Sequence, residues 1–143
     1  MVRFLSKIAL AVTLLCIVSL QVLKSPFSSP VVLVFMAAAI TLSLSARISF
    51  AGSQFSIHAR PLSGTLLSKG VYRYIRHPMY TAALSVVWAS VSGNPGFLTL
   101  GIGFLATGVI ITRIITEEEF LRAKYPDYEA YARKTKRLIP FVL

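Results

Sequence analysis

The chain has 143 residues, of which 55% are apolar and 14% charged, with a formal net charge of +10. That length holds about one domain, and a soluble domain usually carries roughly 25% charged residues, so the composition argues against a water-soluble globule. It also argues against disorder, which needs a chain poor in apolar residues, and the continuous apolar runs argue against a soluble nucleic-acid binder. Cys16 is the single cysteine, and His58 and His77 are the only histidines, so neither a disulfide nor a metal site is expected.

The first apolar run extends from Phe4 to Leu23, with Lys7 near one end, and the second from about Val31 to Phe50, with Arg47 near its end. Twenty helical residues cover roughly 30 Å, the thickness of a bilayer core, and Lys or Arg near an end can snorkel to the interface. Residues 1–23 have the basic start of a signal peptide. The run is long for one, however, and no A-x-A cleavage site follows, so a retained helix is expected. A short third run, Met79 to Ser92, and a fourth, Phe97 to Ile115, flank the tight-turn sequence Gly93-Asn94-Pro95-Gly96. These two runs read as a helical hairpin.

The basic residues orient the bundle. With four crossings and both termini in the cytoplasm, every Lys and Arg except Lys24 falls on or near the cytoplasmic side, as the positive-inside rule asks. The expected fold is therefore all-α: one polytopic membrane domain over residues 1–143, with four transmembrane helices, a C-terminal helical hairpin and a cytoplasmic amphipathic tail.

His77-Pro78 is the main punctuation. Proline suits the first turn of a helix, and the residue before it is pushed out of helical geometry. A helix starting at Pro78 would leave the N–H groups of Met79, Tyr80 and Thr81 free, and such an end attracts anions. The third run covers only about 21 Å, so the helix starts below the membrane surface, and irregular backbone at that depth needs protein or a cavity beside it. The segment from Gly70 to Pro78 either lines a recessed cytoplasmic pocket or is interfacial, with Tyr72 and Tyr74 as a belt and Arg73 and Arg76 on lipid phosphates.

All five acidic residues lie between Glu117 and Glu129. Arg113 and Glu117 are four apart on one helical face, whereas Glu118 points elsewhere and Glu119 lies about 200° from Glu117. They form either an intrahelical ion pair or part of a pocket. Beyond them, Leu121, Tyr125, Tyr128, Tyr131 and Leu138 alternate with charges, and Pro126 interrupts the segment. Its basic group of Arg133, Lys134, Lys136 and Arg137 suits solvent or anionic lipid. Gly101-Ile102-Gly103-Phe104-Leu105-Ala106 matches a dinucleotide pattern but has no strand before it, so close helix packing is expected instead.

In order along the chain, Gly70, Tyr72, Arg76-His77-Pro78, Tyr80, the hairpin, Arg113 with Glu117-Glu118, Tyr128, Tyr131 and Pro140 resemble the isoprenylcysteine carboxyl methyltransferase and phospholipid methyltransferase superfamily. The resemblance covers roughly residues 46–143. It implies an integral membrane enzyme that uses S-adenosylmethionine and admits a lipophilic acceptor from the bilayer, with membrane lipids as its other partners. By position it implies that Tyr72, His77, Pro78, Met79, Tyr80 and Glu117 contact the cofactor and that Arg113 faces the acceptor. Many members have proline where Val71 stands and glycine where Ala82 stands. Carboxyl O-methylation of an isoprenylcysteine-like acid is the first reading, because a guanidinium can hold a carboxylate at two points. N-methylation of a phospholipid amine is the second. A non-catalytic protein that binds anionic lipid or a partner is the reading from another class.

Overall fold

A computed structural model describes residues 2–23, 29–49 and 69–139. Among these residues the fold is all-α, with α1 at Val2–Leu23, α2 at Pro30–Ser49, α3 at Pro78–Gly93, α4 at Phe97–Lys124 and α5 at Tyr128–Lys134. A 3-10 turn, Gly70–Arg73, precedes α3. Lys24, His58 and Arg60 lie outside the described residues.

The expected punctuation is observed. Pro78 occupies the first position of α3, and His77 before it has the non-helical φ of −124°. The hairpin turn closes when Asn94 N–H donates to the Val91 carbonyl, and the Thr99 hydroxyl sits within reach of the Asn94 and Gly96 carbonyls. Helix α4 does not stop with its apolar run at Ile115 but continues through the acidic residues to Lys124. Its 28 residues make a rod of about 42 Å. Pro126 then prevents further extension, and α5 starts two residues on.

Helix α2 packs along α3, and α1 packs against both α4 and α3. Cys16 and Leu20 of α1, Val87 and Val91 of α3 and Ala106 of α4 form the central cluster. Small side chains fill much of the interior: Ala39, Ala46, Ala82, Ala89 and Ala106 are buried, while Leu15, Val34, Phe35, Ile48, Phe104 and Leu105 point outward. Small-inside, large-outside packing is what helices use where lipid solvates the outer face. Among the described residues, two helices are long and apolar enough to cross a membrane, over Val32–Ser49 and Phe97–Lys124, and α1 contains a shorter apolar stretch, Ala11–Leu20.

The dinucleotide-like pattern is a packing seam. It is helical throughout, and a Cβ at Gly103 would lie 3.0 Å from Val91 Cγ2. Gly101, by contrast, faces nothing within 4 Å. We expect Gly103→Leu to lower the midpoint of thermal unfolding in detergent, since overpacking costs about 1–3 kcal/mol. Gly101→Ala should leave the midpoint unchanged or raise it, because alanine is the better helix former by up to ~1 kcal/mol. Equal losses from both would contradict the seam.

Candidate active site

The site is built where the 3-10 turn, the start of α3, the far end of α4 and the returning tail converge. Gly70 opens the turn at φ +60°, and a Cβ there would sit 2.2 Å from Ser49 Oγ. Glycine is thus required both by the backbone and by the close approach to α2. The turn buries Tyr72, whose carbonyl accepts a 2.7 Å hydrogen bond from the Tyr131 hydroxyl. Burial pushes the Tyr72 phenol above its ordinary range, and the nearby charge of Glu117 adds to the effect.

The tail comes back alongside this turn. Ile75 and Lys136 form a parallel bridge. Lys136 N–H donates to Tyr74 O at 3.0 Å, Arg76 N–H to Lys136 O at 2.8 Å and His77 N–H to Arg137 O at 3.0 Å. The Thr81 hydroxyl reaches Leu138 O at 2.7 Å. The irregular backbone before α3 therefore does have protein beside it, and the chain's own C-terminal segment satisfies its polar groups. Arg76, for which lipid phosphate was one expectation, instead turns inward. Its guanidinium donates to Glu118 Oε1 at 3.0 Å, to Ala132 O at 2.7 Å and to Thr135 O.

Glu118 is the hub, with a side chain only 1% exposed. Arg76 holds one oxygen, Arg137 reaches the other at 3.0 Å through Nη2, and Arg122 lies 3.6 Å away. His77 Nε2 lies 3.5 Å from Glu118 Oε1. A carboxylate this buried is tolerable only when paired and hydrogen-bonded. The bond to Glu118 in turn raises the Arg137 guanidinium. Tyr128 is fully buried beside this cluster, and burial together with the Glu118 charge pushes its phenol up.

Glu117, one residue earlier, has a different environment. Its side chain keeps 26% of its surface exposed and lies 3.9 Å, through Oε2, from His77 Nδ1. The Tyr80 hydroxyl donates to the same Oε2 at 2.9 Å. Arg113 Nε donates to the Tyr80 oxygen at 3.1 Å, and its guanidinium carbon lies 5.5 Å from the Tyr80 ring centroid. His77 and Tyr80 stack with centroids 5.6 Å apart. Arg113, Tyr80, Glu117 and His77 thus form one connected group, and the charge of Glu117 reaches Tyr72.

Pro78 and Met79 stand apart from that group. Pro78 is buried at the head of α3. Met79 lines a groove of about 320 Å³ between α2 and α3, with Ile40, Leu44, Arg47, Ala82 and Val86 among its walls. Ala82 is on that wall. The free N–H groups expected of Tyr80 and Thr81 are not free: both donate to the His77 carbonyl at 3.1 Å. The first turn closes on its own cap residue, so the anion-attracting end is weaker than the sequence implied.

The hub residue was not among the expected site residues. The helical-phase argument paired Arg113 with Glu117 and set Glu118 aside. A signal for Glu118 did exist: Arg122 is four residues later, and acidic-before-basic is the stronger order for such a pair.

Residues 27–128 match the phospholipid methyltransferase family, more than half of the 143-residue chain. The chain is 28% identical over 79 residues to the cobalt-zinc-cadmium resistance protein CzcN of Cupriavidus metallidurans, covering 54% of this chain and 37% of that protein. It is 35% identical over 72 residues to the methanethiol S-methyltransferase of Mycobacterium tuberculosis, covering 50% of this chain and 29% of the relative. These matches span about a third of the length of those curated relatives. No solved structure matches the chain.

Proposed function

The chain belongs to the phospholipid methyltransferase family, and from that premise we propose that it transfers the methyl group of S-adenosylmethionine to a lipophilic acceptor arriving from the bilayer. The observation that carries this reading is the contrast between two adjacent carboxylates. Glu118 is sealed under guanidinium groups, while Glu117 is partly open and held by the Tyr80 hydroxyl. An open, oriented carboxylate beside phenols and an imidazole fits the ammonium and sulfonium charges of the cofactor. Glu117, Tyr80, Tyr72 and His77 would hold it, and it would supply an electrophilic methyl group. Glu118, Arg76 and Arg137 fix the turn that carries His77 and so keep the binding residues in one geometry. Orienting two reactants can supply about 7–11 kcal/mol of barrier reduction.

For the acceptor, the engagement of Arg113 with Tyr80 favours an amine or thiol over a carboxylate. Its Nε donates to the phenol, and its guanidinium carbon lies 5.5 Å from the ring centroid, so it acts as a brace for the Tyr80–Glu117 pair. The isoprenylcysteine-like carboxylate stays as the second reading, because the guanidinium has further N–H donors. Labelled methyl donor, incubated with membranes carrying the protein and with amine, thiol and carboxylate lipids in turn, tests the proposal. We expect transfer to one of these classes. Absence of transfer to all three would oppose the reading.

We further propose four crossings with both termini in the cytoplasm, on the strength of the basic-residue asymmetry. Reporter fusions at residue 26 and at the C-terminus should give an extracytoplasmic and a cytoplasmic signal respectively. The opposite pair of signals overturns this topology.

A further inference from the structure

We infer that the exposed face of the paired segments 69–76 and 133–139 is a seat for the headgroups of anionic phospholipids, bound at the membrane surface and not as methyl acceptors. The inference rests on α4 crossing a bilayer, and it stands whether or not the site transfers methyl groups.

The two segments together hold seven Lys and Arg and no Asp or Glu. Arg76 and Arg137 are paired with Glu118. Lys69, Arg73, Arg133, Lys134 and Lys136 are exposed and make no ion pair among the described residues. The backbone gathers them. Lys136 N–H donates to Tyr74 O and Arg76 N–H to Lys136 O, and Arg133 and Lys134 form the last turn of α5 just before. The exposed carboxylates do not offset this charge: Glu129 is held by Arg122 at 2.7 Å, and Glu119 and Asp127 lie outside both segments. Like charges held this close repel one another, and an anionic surface relieves that repulsion.

Height along α4 decides which anion meets this face. From Phe97 to Glu118 the helix rises roughly 30 Å, the thickness of a bilayer core. Glu118 is therefore level with one membrane surface, and its bonds to Arg76 and Arg137 hold both segments at that level. Tyr74 and Ile139 are 52% and 47% exposed in the same two segments, with the Arg73 guanidinium carbon 6.0 Å from the Tyr74 ring centroid. Cations beside an exposed tyrosine and isoleucine suit the headgroup zone, where aromatic rings settle and Lys or Arg meet lipid phosphates. A soluble polyanion would meet the same charges but leave Tyr74 and Ile139 in water.

The test gives the delipidated full chain, in neutral detergent, equal amounts of phosphatidylglycerol and phosphatidylcholine, and native mass spectrometry counts the lipids retained. Phosphatidylglycerol carries no amine, thiol or carboxylate, so its retention is not acceptor binding. It should be retained over phosphatidylcholine by more than tenfold at low salt, and the preference should fall as salt rises. Each basic residue near the lipid is worth about fivefold. Lys136→Gln should therefore lower the preference about fivefold, and Arg73, Arg133, Lys134 and Lys136 all replaced by Gln should abolish it. These side chains are exposed and outside the Glu118 cluster, so thermal unfolding of the variants should match that of the unaltered chain. Lys24→Gln removes the same charge outside both segments and should leave the preference unchanged. Equal losses from Lys136→Gln and Lys24→Gln would reduce the effect to net charge and overturn the seat, as would equal retention of the two lipids by the unaltered chain. Displacement of the lipid by inorganic phosphate or a short RNA at matched ionic strength would assign the face to soluble anions and also overturn it. Absence of S-adenosylhomocysteine binding with the lipid preference intact would sink the methyl-transfer reading and leave the seat standing.

Discussion

Replacing Glu118 with alanine is expected to produce a large loss of stability. The side chain is 1% exposed and joins Arg76, before α3, to Arg137, in the tail, with Arg122 of its own helix alongside. Removing one partner of a buried ion pair typically costs about 3–5 kcal/mol, because the other charge is left buried without compensation. Arg76 bears that penalty, being 10% exposed. Arg137 and Arg122 are nearly half exposed and can turn to water, so their share is small. The loss should also be local in character. Without the Arg137 contact, the tail keeps its backbone pairing with residues 74–77, the Thr81 and Tyr131 hydroxyl bonds and the Arg76 bonds to Ala132 O and Thr135 O, so it should loosen at its far end first. Thermal unfolding in detergent, combined with limited proteolysis of the tail, checks this. A midpoint equal to that of Glu119→Ala, whose parent side chain is exposed, would show that the hub does not hold the fold.

The second large effect concerns binding. Glu117→Gln is expected to weaken cofactor binding more than tenfold, and Glu119→Gln to leave it unchanged. A charge-assisted hydrogen bond is worth about 1.5–3 kcal/mol, and each 1.4 kcal/mol is a factor of ten. Glu117 meets Tyr80 and faces His77, whereas Glu119 points outward. Competition between the methyl donor and a labelled analogue measures both variants under the same conditions. Equal effects would reduce Glu117 to a contribution to bulk charge.

Much of this arrangement was legible in the sequence because it is local. Pro78 starts a helix for reasons contained in its own ring, and Gly93 to Gly96 turn for reasons contained in four residues. Helical phase alone separated Glu117 from Glu119. The association of Glu117 with Tyr72, His77 and Tyr80 came from the family resemblance, and the structure brings those residues together. Pro78 lies at the head of α3 and Met79 in the groove beside α2.

What escaped the sequence is non-local. The role of Glu118 depends on Arg76 and Arg137, which lie 42 and 19 residues away along the chain. No periodicity connects them. The tail looked like an amphipathic surface because its charges alternate with tyrosines. Its backbone pairing with residues 74–77 leaves no pattern in the side chains. Hydropathy also does not mark the end of α4, since the apolar run stops at Ile115 while the helix continues through the acidic residues to Lys124 on good helix-forming residues.

The central claim is that this chain binds S-adenosylmethionine through the open side of the Glu117 cluster. Calorimetric titration of the detergent-purified protein with S-adenosylhomocysteine tests it most directly. Saturable binding of one ligand per chain is expected, lost or weakened at least tenfold in Glu117→Gln and retained in Glu119→Gln. Heats indistinguishable from dilution, in a sample whose thermal unfolding shows it to be folded, would contradict it.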